Sequence, residues 1–202
     1  MTKNDSRQDL VEGLSVPKIV SVVGCGGVGS NVAQIVASVK GVTEVRLFDN
    51  DKLEPHNRER VFIPAKYVGR RKDIAMAAFL RSVYPGVKFV PCGQLKPKTS
   101  RKLKGVVFCT TDQLQSQIYT QYVANRKKLR FVRVGADGNH ITIAPSMDSI
   151  WGQGMGGYTV PSWRGPVVLA AAKAVCDAFL GVRDIVSLDV REIRKRTDGA
   201  DT

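Results

Sequence analysis

The sequence predicts an α/β fold in which a mostly parallel sheet carries helices on both faces. Three observations predict it. Ile19–Val23 is a short β-branched run typical of a buried strand, a glycine-rich turn follows it, and the next apolar positions recur at helical spacing. A second strand is predicted over 45–48, and Asp49 follows it. Strand, helix and strand in this order form a βαβ unit, which implies parallel pairing with a right-handed crossover.

The other elements are predicted from apolar spacing and from turn residues. The first helix passes through Val32 and Val36 and is expected to end at Gly41. Further helices are predicted over 72–84, 113–127 and 166–180, and further strands over 87–90, 105–109, 131–134 and 185–190. One domain is expected to account for residues 1–202, with a polar leader at 1–16, a loop at 147–165, and a basic tail at 191–202 that is expected to fray.

Composition limits the class of protein more than its function. The formal net charge of +13 over 202 residues fits nucleic acid, nucleotide phosphates or an acidic protein as partner. The four cysteines contain no C-x-x-C pair, so the sequence shows neither a structural zinc site nor a dithiol redox motif. No apolar run approaches the ~20 residues that span a bilayer. We therefore expect a cytoplasmic protein with reduced thiols, in which Cys92 is the exposed one and Cys109 and Cys176 are packed.

The turn after the first strand has the features of a nucleotide site. Gly24, Gly26 and Gly29 fit G-x-G-x-x-G, which permits a tight turn and close approach of a ligand, and the following helix N-terminus favours an anion. Asp49 lies 20 residues beyond Gly29 (49 − 29), where a carboxylate can hold ribose hydroxyls. Glycines alone would also fit an ordinary turn, but their order with two strands and an acid indicates nucleotide binding on a Rossmann-like fold.

Four short motifs then specify the nucleotide. They read G-C-G-G-V-G at 24–29, D-N-D-K-L-E-P-H-N-R-E-R at 49–60, G-R-R-K at 69–72 and T-T-D-Q at 110–113. In this order they resemble the motifs of the ThiF/MoeB family, the bacterial relatives of ubiquitin-activating enzymes. The resemblance covers about residues 19–146. Three positions depart from the family pattern: Arg58 replaces Leu, Val61 replaces Gln, and Gln113 replaces the usual Asn.

The resemblance implies a site for ATP and Mg²⁺. The residues implied to bind the nucleotide are Gly24, Gly26, Gly27, Gly29, Asp49, Asp51, Asn57, Arg60, Lys72 and Asp112. Among them, Asp49 would hold the ribose, and Asn57 and Arg60 would meet the triphosphate. Lys72 would meet the α- and β-phosphates, and Asp112 would bind the magnesium ion. Arg60, Lys72 and Asp112 would thus be the catalytic groups.

The resemblance also implies an activity, namely adenylation of the C-terminal carboxylate of a ubiquitin-like or sulfur-carrier protein that ends in Gly-Gly. Adenylation joins two anions, so cations aimed at the α-phosphate must cancel their repulsion. The sequence lacks G-x-x-x-x-G-K-[ST], and Arg60, Lys72 and a metal on Asp112 would serve instead. Taken singly, each of these groups could be an ordinary solvated charge, and Asp112 could cap the next helix. Because the loop at 148–165 contains no cysteine, no enzyme thioester is expected.

Three other functions remain open. One is a tRNA-modifying adenylating enzyme, the second is a nicotinamide-dependent oxidoreductase, and the third is a catalytically silent nucleotide-binding interaction module. Basic runs at 96–104, 126–133 and 191–196 could dock an acidic carrier or tRNA, and the lack of an aromatic-interleaved motif favours the carrier. The resemblance further implies a homodimer, in which Arg7 is the candidate for reaching the other subunit's site.

Overall fold

The computed structural model describes residues 7–147 and 161–196. Four helices lie in this part of the chain: α1 (Gly27–Ser38), α2 (Lys72–Val83), α3 (Leu114–Arg126) and α4 (Arg164–Phe179). Seven strands lie there as well: β1 (Ile19–Val23), β2 (Glu44–Phe48), β3 (Lys88–Pro91), β4 (Val106–Cys109), β5 (Phe131–Asp137), β6 (His140–Ala144) and β7 (Val186–Asp189). Short 3-10 turns connect several of these elements.

The seven strands form one sheet in the order β3-β2-β1-β4-β5-β6-β7. The first five strands of this order pair in parallel, whereas β6 and β7 pair antiparallel. Side chains on the two sides of the sheet enter two apolar clusters. The larger joins the sheet to α1, α2 and α4, and the smaller joins Val107 and Phe131 to Val123 of α3. The predicted fold class, a mostly parallel sheet with helices on both faces, is confirmed.

The parallel half of the sheet agrees closely with the sequence-based prediction. β1 has the predicted bounds. β2, β4 and α2 differ from theirs by one residue at one end, and β3 and α3 differ by one residue at both ends. For β1 and β4 the reason is that they are almost wholly apolar runs that lie largely buried between neighbouring strands, which the sequence marks clearly. None of the helices in the described ranges is long and apolar enough to cross a membrane.

The differences lie in the second half of the chain. β5 extends to Asp137, and β6, which was not predicted, pairs with it through a two-residue loop at Gly138. Of the loop predicted over 147–165, positions 148–160 lie outside the described residues, and Arg164 and Gly165 already belong to α4. The first part of the basic tail, up to Arg196, forms a 3-10 turn rather than fraying.

Candidate active site

A cavity of about 770 Å³ opens at the carboxyl ends of the parallel strands. It lies where the order of the sheet reverses between β1 and β4, which is the usual ligand site of open α/β sheets. Eight of the ten residues predicted to bind a nucleotide line it: Gly24, Gly26, Gly27, Asp49, Asp51, Arg60, Lys72 and Asp112. Gly29 and Asn57 are not among its lining residues.

The glycines of the first turn have different structural roles. Gly24 has φ +95°, and a Cβ there would lie 2.8 Å from the Thr111 nitrogen. A Cβ on Gly29 would lie 1.8 Å from the Gly24 carbonyl oxygen, so this glycine permits close packing of α1 against the turn. Gly26 is the N-cap of α1 and provides no side-chain cap, and a Cβ at this position would meet no atom within 4 Å. The free amides at the start of α1 therefore face the cavity, where an anion would bind.

Asp49 organises this turn from the end of β2. Its Oδ2 accepts a hydrogen bond from the Cys25 backbone N–H at 2.6 Å, and its Oδ1 accepts one from the Asp51 N–H at 2.8 Å. Burial raises the pKa of the Asp49 carboxyl, and these two amide hydrogen bonds oppose the rise. The carboxylate thus ties the glycine turn to β2 while it lines the cavity.

Lys72 reaches the cavity because two loop segments pair with each other. The Leu53 N–H donates to the Arg70 carbonyl at 2.8 Å, and the Lys72 N–H donates to the Asp51 carbonyl at 2.7 Å. The Lys72 ammonium then donates to Asp51 Oδ2 at 3.1 Å. The Lys72 side chain is only 14% exposed, whereas the Asp51 side chain is 68% exposed. Asp51 therefore holds the lysine at the wall of the cavity from the solvent side.

Arg60 follows the 3-10 turn Pro55–Glu59. Asn57 is buried at the base of this turn, where its Oδ1 accepts from the Glu54 N–H at 3.1 Å and its carbonyl accepts from the Arg60 N–H at 3.1 Å. The aliphatic part of Arg60 packs beside Gly27. Among the described residues, the Arg60 guanidinium forms no ion pair. Asn57 thus positions Arg60 from behind, and direct contact between Asn57 and a triphosphate stays a prediction.

Asp112 lines the cavity after β4, which lies on the other side of β1 from β2 and Asp49. Thr110 connects the two sides, because its hydroxyl donates to the Gly24 carbonyl at 2.7 Å. The N-cap of α3 is Gln113, so Asp112 does not cap that helix. No group of three potential metal ligands is found among the described residues. A single exposed carboxylate nevertheless fits Mg²⁺, which usually keeps several waters and takes one or two carboxylates plus phosphate oxygens.

Sequence reasoning missed several residues that line the same cavity. Arg133 belongs to a run predicted to be a basic surface, but it lies in β5 and is only 7% exposed, and burial lowers the pKa of its guanidinium. Gln117 is buried as well. Its Nε2 donates to the Thr111 carbonyl at 2.7 Å, while its Oε1 has no hydrogen-bond partner in the described part of the chain. An arginine between apolar strand residues was the available signal for Arg133.

The cysteines differ from the prediction. Cys92 is buried rather than exposed, as are Cys25 and Cys109, whereas Cys176 is exposed on α4. The cause is that Cys92, just after β3, packs into the smaller apolar cluster. Burial raises the pKa of the Cys25 and Cys92 thiols and raises that of Cys109 to about 12, so these three thiols are held protonated near neutral pH.

Comparison with known proteins identifies similar sequences. The model of the ThiF family matches residues 11–152. A ubiquitin-like modifier-activating enzyme 5 from Bombyx mori is 41% identical over 70 residues, which is 35% of this chain and 18% of that protein. The Xenopus laevis protein of the same name is 40% identical over 70 residues, covering 35% and 17%. The matched segment thus spans less than a fifth of these relatives.

Solved structures with the same fold extend further along the chain. E. coli MccB with ATP superposes with a TM-score of 0.69 at 18% identity, and the alignment covers 86% of this chain and 64% of that one. The MccB complex with N-formylated MccA gives a TM-score of 0.70 at 16% identity with the same coverage. PaaA gives 0.64 at 17% identity, also with 86% and 64% coverage. At these identities the likeness establishes the fold alone.

Proposed function

The chain belongs to the ThiF family, and from this premise we propose that it is an ATP-dependent adenylyltransferase. Its substrate would be the C-terminal carboxylate of a ubiquitin-like or sulfur-carrier protein. The observation that carries the proposal is that Arg60, Lys72 and Asp112 line one cavity together with the open helix end at Gly26. Further support comes from the relatives named as ubiquitin-like modifier-activating enzymes and from the MccB structures with ATP and with MccA.

The proposed reaction joins two anions at the α-phosphorus. A carboxylate oxygen of the carrier attacks this atom, the bond from phosphorus to the α–β bridging oxygen breaks, and pyrophosphate leaves with the electron pair. The product is the acyl-adenylate. Lys72 and Arg60 both line the cavity, where their charges would lower the repulsion before reaction and stabilise the charge that develops during it. Asp49 and the α1 amides would hold the ribose and a phosphate in register.

Asp112 is the residue that would hold Mg²⁺, which when bound neutralises phosphate charge as a Lewis acid. Asp112 and Asp51 both line the cavity, and Asp51 already pairs with Lys72. Of the two carboxylates, Asp51 and Asp112, Asp112 is therefore the one available to hold a metal ion. The exposed position of its side chain leaves room for the metal's water ligands.

The proposal includes transfer without an enzyme thioester. The one exposed thiol, Cys176, lies nine residues beyond Val167 on α4, and Val167 lines the cavity. At 1.5 Å per residue, this separation is about 13 Å along the helix. A symmetric homodimer, with Arg7 as the residue that reaches across, and a cytoplasmic location, which suits four free thiols, complete the proposal.

The experiment that tests the function is ATP–pyrophosphate exchange in the presence of purified carriers. We expect exchange that requires a carrier with a free Gly-Gly carboxylate. Arg60→Ala should reduce exchange by a factor on the order of 10² to 10³, because it removes a charge aimed at the reacting phosphate. The matched control is Arg58→Ala, which removes an exposed arginine two positions away that does not line the cavity.

Two outcomes would contradict the proposal. Exchange that is driven only by tRNA would instead identify a tRNA-modifying adenylating enzyme. Absence of exchange with every carrier, together with unchanged ATP binding in Arg60→Ala and Lys72→Ala, would indicate a silent nucleotide-binding module.

A further inference from the structure

Positive charge is concentrated in one continuous part of the chain. Between Gly93 and Ala136 there are ten lysines and arginines and a single acid, Asp112. The cations are Lys96, Lys98, Arg101, Lys102, Lys104, Arg126, Lys127, Lys128, Arg130 and Arg133. This stretch includes β4 and α3, and α3 packs against one side of the sheet. The net charge of the whole protein therefore arises largely from one region rather than from an even distribution.

The structure brings the two basic runs of this region together. The Lys127 ammonium, just after α3, donates to the carbonyls of Ser100 at 2.7 Å and Leu103 at 3.2 Å. The chain from 96 to 104 thus lies beside the C-terminal end of α3. Together the runs form a surface that we call the α3 face, which consists of the exposed residues Lys96, Lys98, Arg101, Lys104, Arg126, Lys127 and Lys128.

The cations of the α3 face are not neutralised locally. None of them takes part in an ion pair among the described residues. Burial lowers the pKa of the Lys127 ammonium, and the nearby charges of Lys104 and Arg46 lower it further. Like charges held this close repel one another, and a polyanion that bound across them would relieve the repulsion.

An exposed aromatic ring contacts the α3 face. The Tyr122 side chain on α3 is exposed at 53%, and its hydroxyl accepts a hydrogen bond from Arg126 Nη1 at 3.0 Å. The Arg126 guanidinium carbon lies 5.7 Å from the centre of the Tyr122 ring, and the Tyr119 ring lies 6.3 Å away on the same helix. An exposed ring among unpaired cations offers both a stacking surface for a base and positive charge for phosphates.

We propose that the α3 face binds single-stranded nucleic acid. The lysines and arginines on the two sides of the α3 C-terminus contact the phosphates, and Tyr122 stacks on a base. An acidic protein would need only the positive charges for binding and would make no use of the exposed Tyr122 ring. A nucleic acid would use both, because its bases can stack on the ring, and the observations therefore favour nucleic acid. The proposal goes beyond the adenylation reaction and does not depend on it, because none of the α3-face residues lines the nucleotide cavity.

The test is fluorescence anisotropy of a labelled 12-nucleotide oligo(U) RNA with the full chain over a range of KCl concentrations. The triple variant Lys98→Gln, Arg101→Gln and Arg126→Gln should weaken binding at least tenfold. It should also lower the slope of log affinity against log salt by about two, since each phosphate contact with a single strand contributes about 0.7. The matched control combines Lys18→Gln, Lys66→Gln and Arg70→Gln. It removes the same charge from exposed cations elsewhere and should leave the slope unchanged.

Tyr122→Leu separates nucleic acid from an acidic protein as the ligand. It keeps an apolar side chain but removes the ring, and we expect RNA affinity to fall about fivefold or more, as stacking surfaces typically contribute. Affinity for polyglutamate, used as the acidic-protein probe, should not change. Equal losses in the two triple variants, or RNA binding that is unaffected in Tyr122→Leu, would overturn the proposal. Circular dichroism of each variant checks that the fold is retained.

Discussion

At the scale of single residues, burial decides the chemistry of the thiols. Cys109 ends β4 in the smaller apolar cluster, and burial raises its pKa from an ordinary 9.0 to about 12. In the unfolded chain this thiol would ionise near its ordinary pKa. The folded protein therefore binds more protons between these two values, so the contribution of this group to stability is complete below pH 9 and is lost as the pH rises toward 12.

This linkage predicts a difference between variants at alkaline pH. Between about pH 8 and pH 10.5, wild-type protein should lose about 2 kcal/mol more unfolding free energy than Cys109→Ala, because about 1.36 kcal/mol corresponds to each pH unit above the unfolded pKa. Urea unfolding at several pH values measures this. Cys176→Ala, in which an exposed thiol is removed, should keep the wild-type pH dependence. Parallel curves for wild type and Cys109→Ala would contradict the assigned burial.

At the scale of elements, the glycines of the turn after β1 have different roles, although they belong to one sequence motif. Gly29 is needed for the contact between α1 and the turn, whereas Gly26 borders open space. Gly29→Ala should cost about 1–3 kcal/mol of unfolding free energy, because its methyl group would overlap the Gly24 carbonyl. Gly26→Ala should leave stability nearly unchanged but weaken ATP binding, since its methyl group would enter the cavity beside the α1 amides.

Chemical denaturation and calorimetric ATP titration of the two glycine variants measure these effects separately. A Gly26→Ala protein that binds ATP as the wild type does would show that the nucleotide does not approach this turn. A stable Gly29→Ala protein would show that α1 can shift away from β1 at little cost.

The strands differ in how well their own sequence predicts that they form. β1 and β4 are almost wholly apolar runs, so the sequence predicts that they are buried on both faces. In β6 the burial of side chains alternates, with Ile141 and Ile143 buried and Thr142 half-buried. This strand also depends on the hairpin at Gly138, whose φ is +57°. The two loop residues, Gly138 and Asn139, were the local signal for that hairpin, but only pairing with β5 and β7 makes the segment a strand.

At the scale of the whole molecule, the candidate site could be predicted only where it follows a local motif. Arg60, Lys72 and Asp112 belong to separate motifs, and the sheet brings them to one cavity because parallel strands end at the same edge. Arg133 escaped prediction because its burial depends on the tertiary packing of β5. The role of Asn57 behind Arg60 likewise depends on the fold of its turn, which no spacing reveals.

The distribution of charge over the molecule predicts how salt acts on stability. The seven exposed cations of the α3 face form no ion pair among the described residues, so repulsion between them opposes folding at low ionic strength. The triple variant Lys98→Gln, Arg101→Gln and Arg126→Gln should therefore be more stable than wild type by about 0.5–1 kcal/mol in about 20 mM NaCl. This gain should disappear in about 300 mM NaCl, because salt then screens the repulsion. Urea unfolding at both salt concentrations measures the gain. The Lys18, Lys66 and Arg70 variant, which loses equal charge outside this region, should gain less, and an equal gain in both variants would mean that net charge rather than its location governs stability.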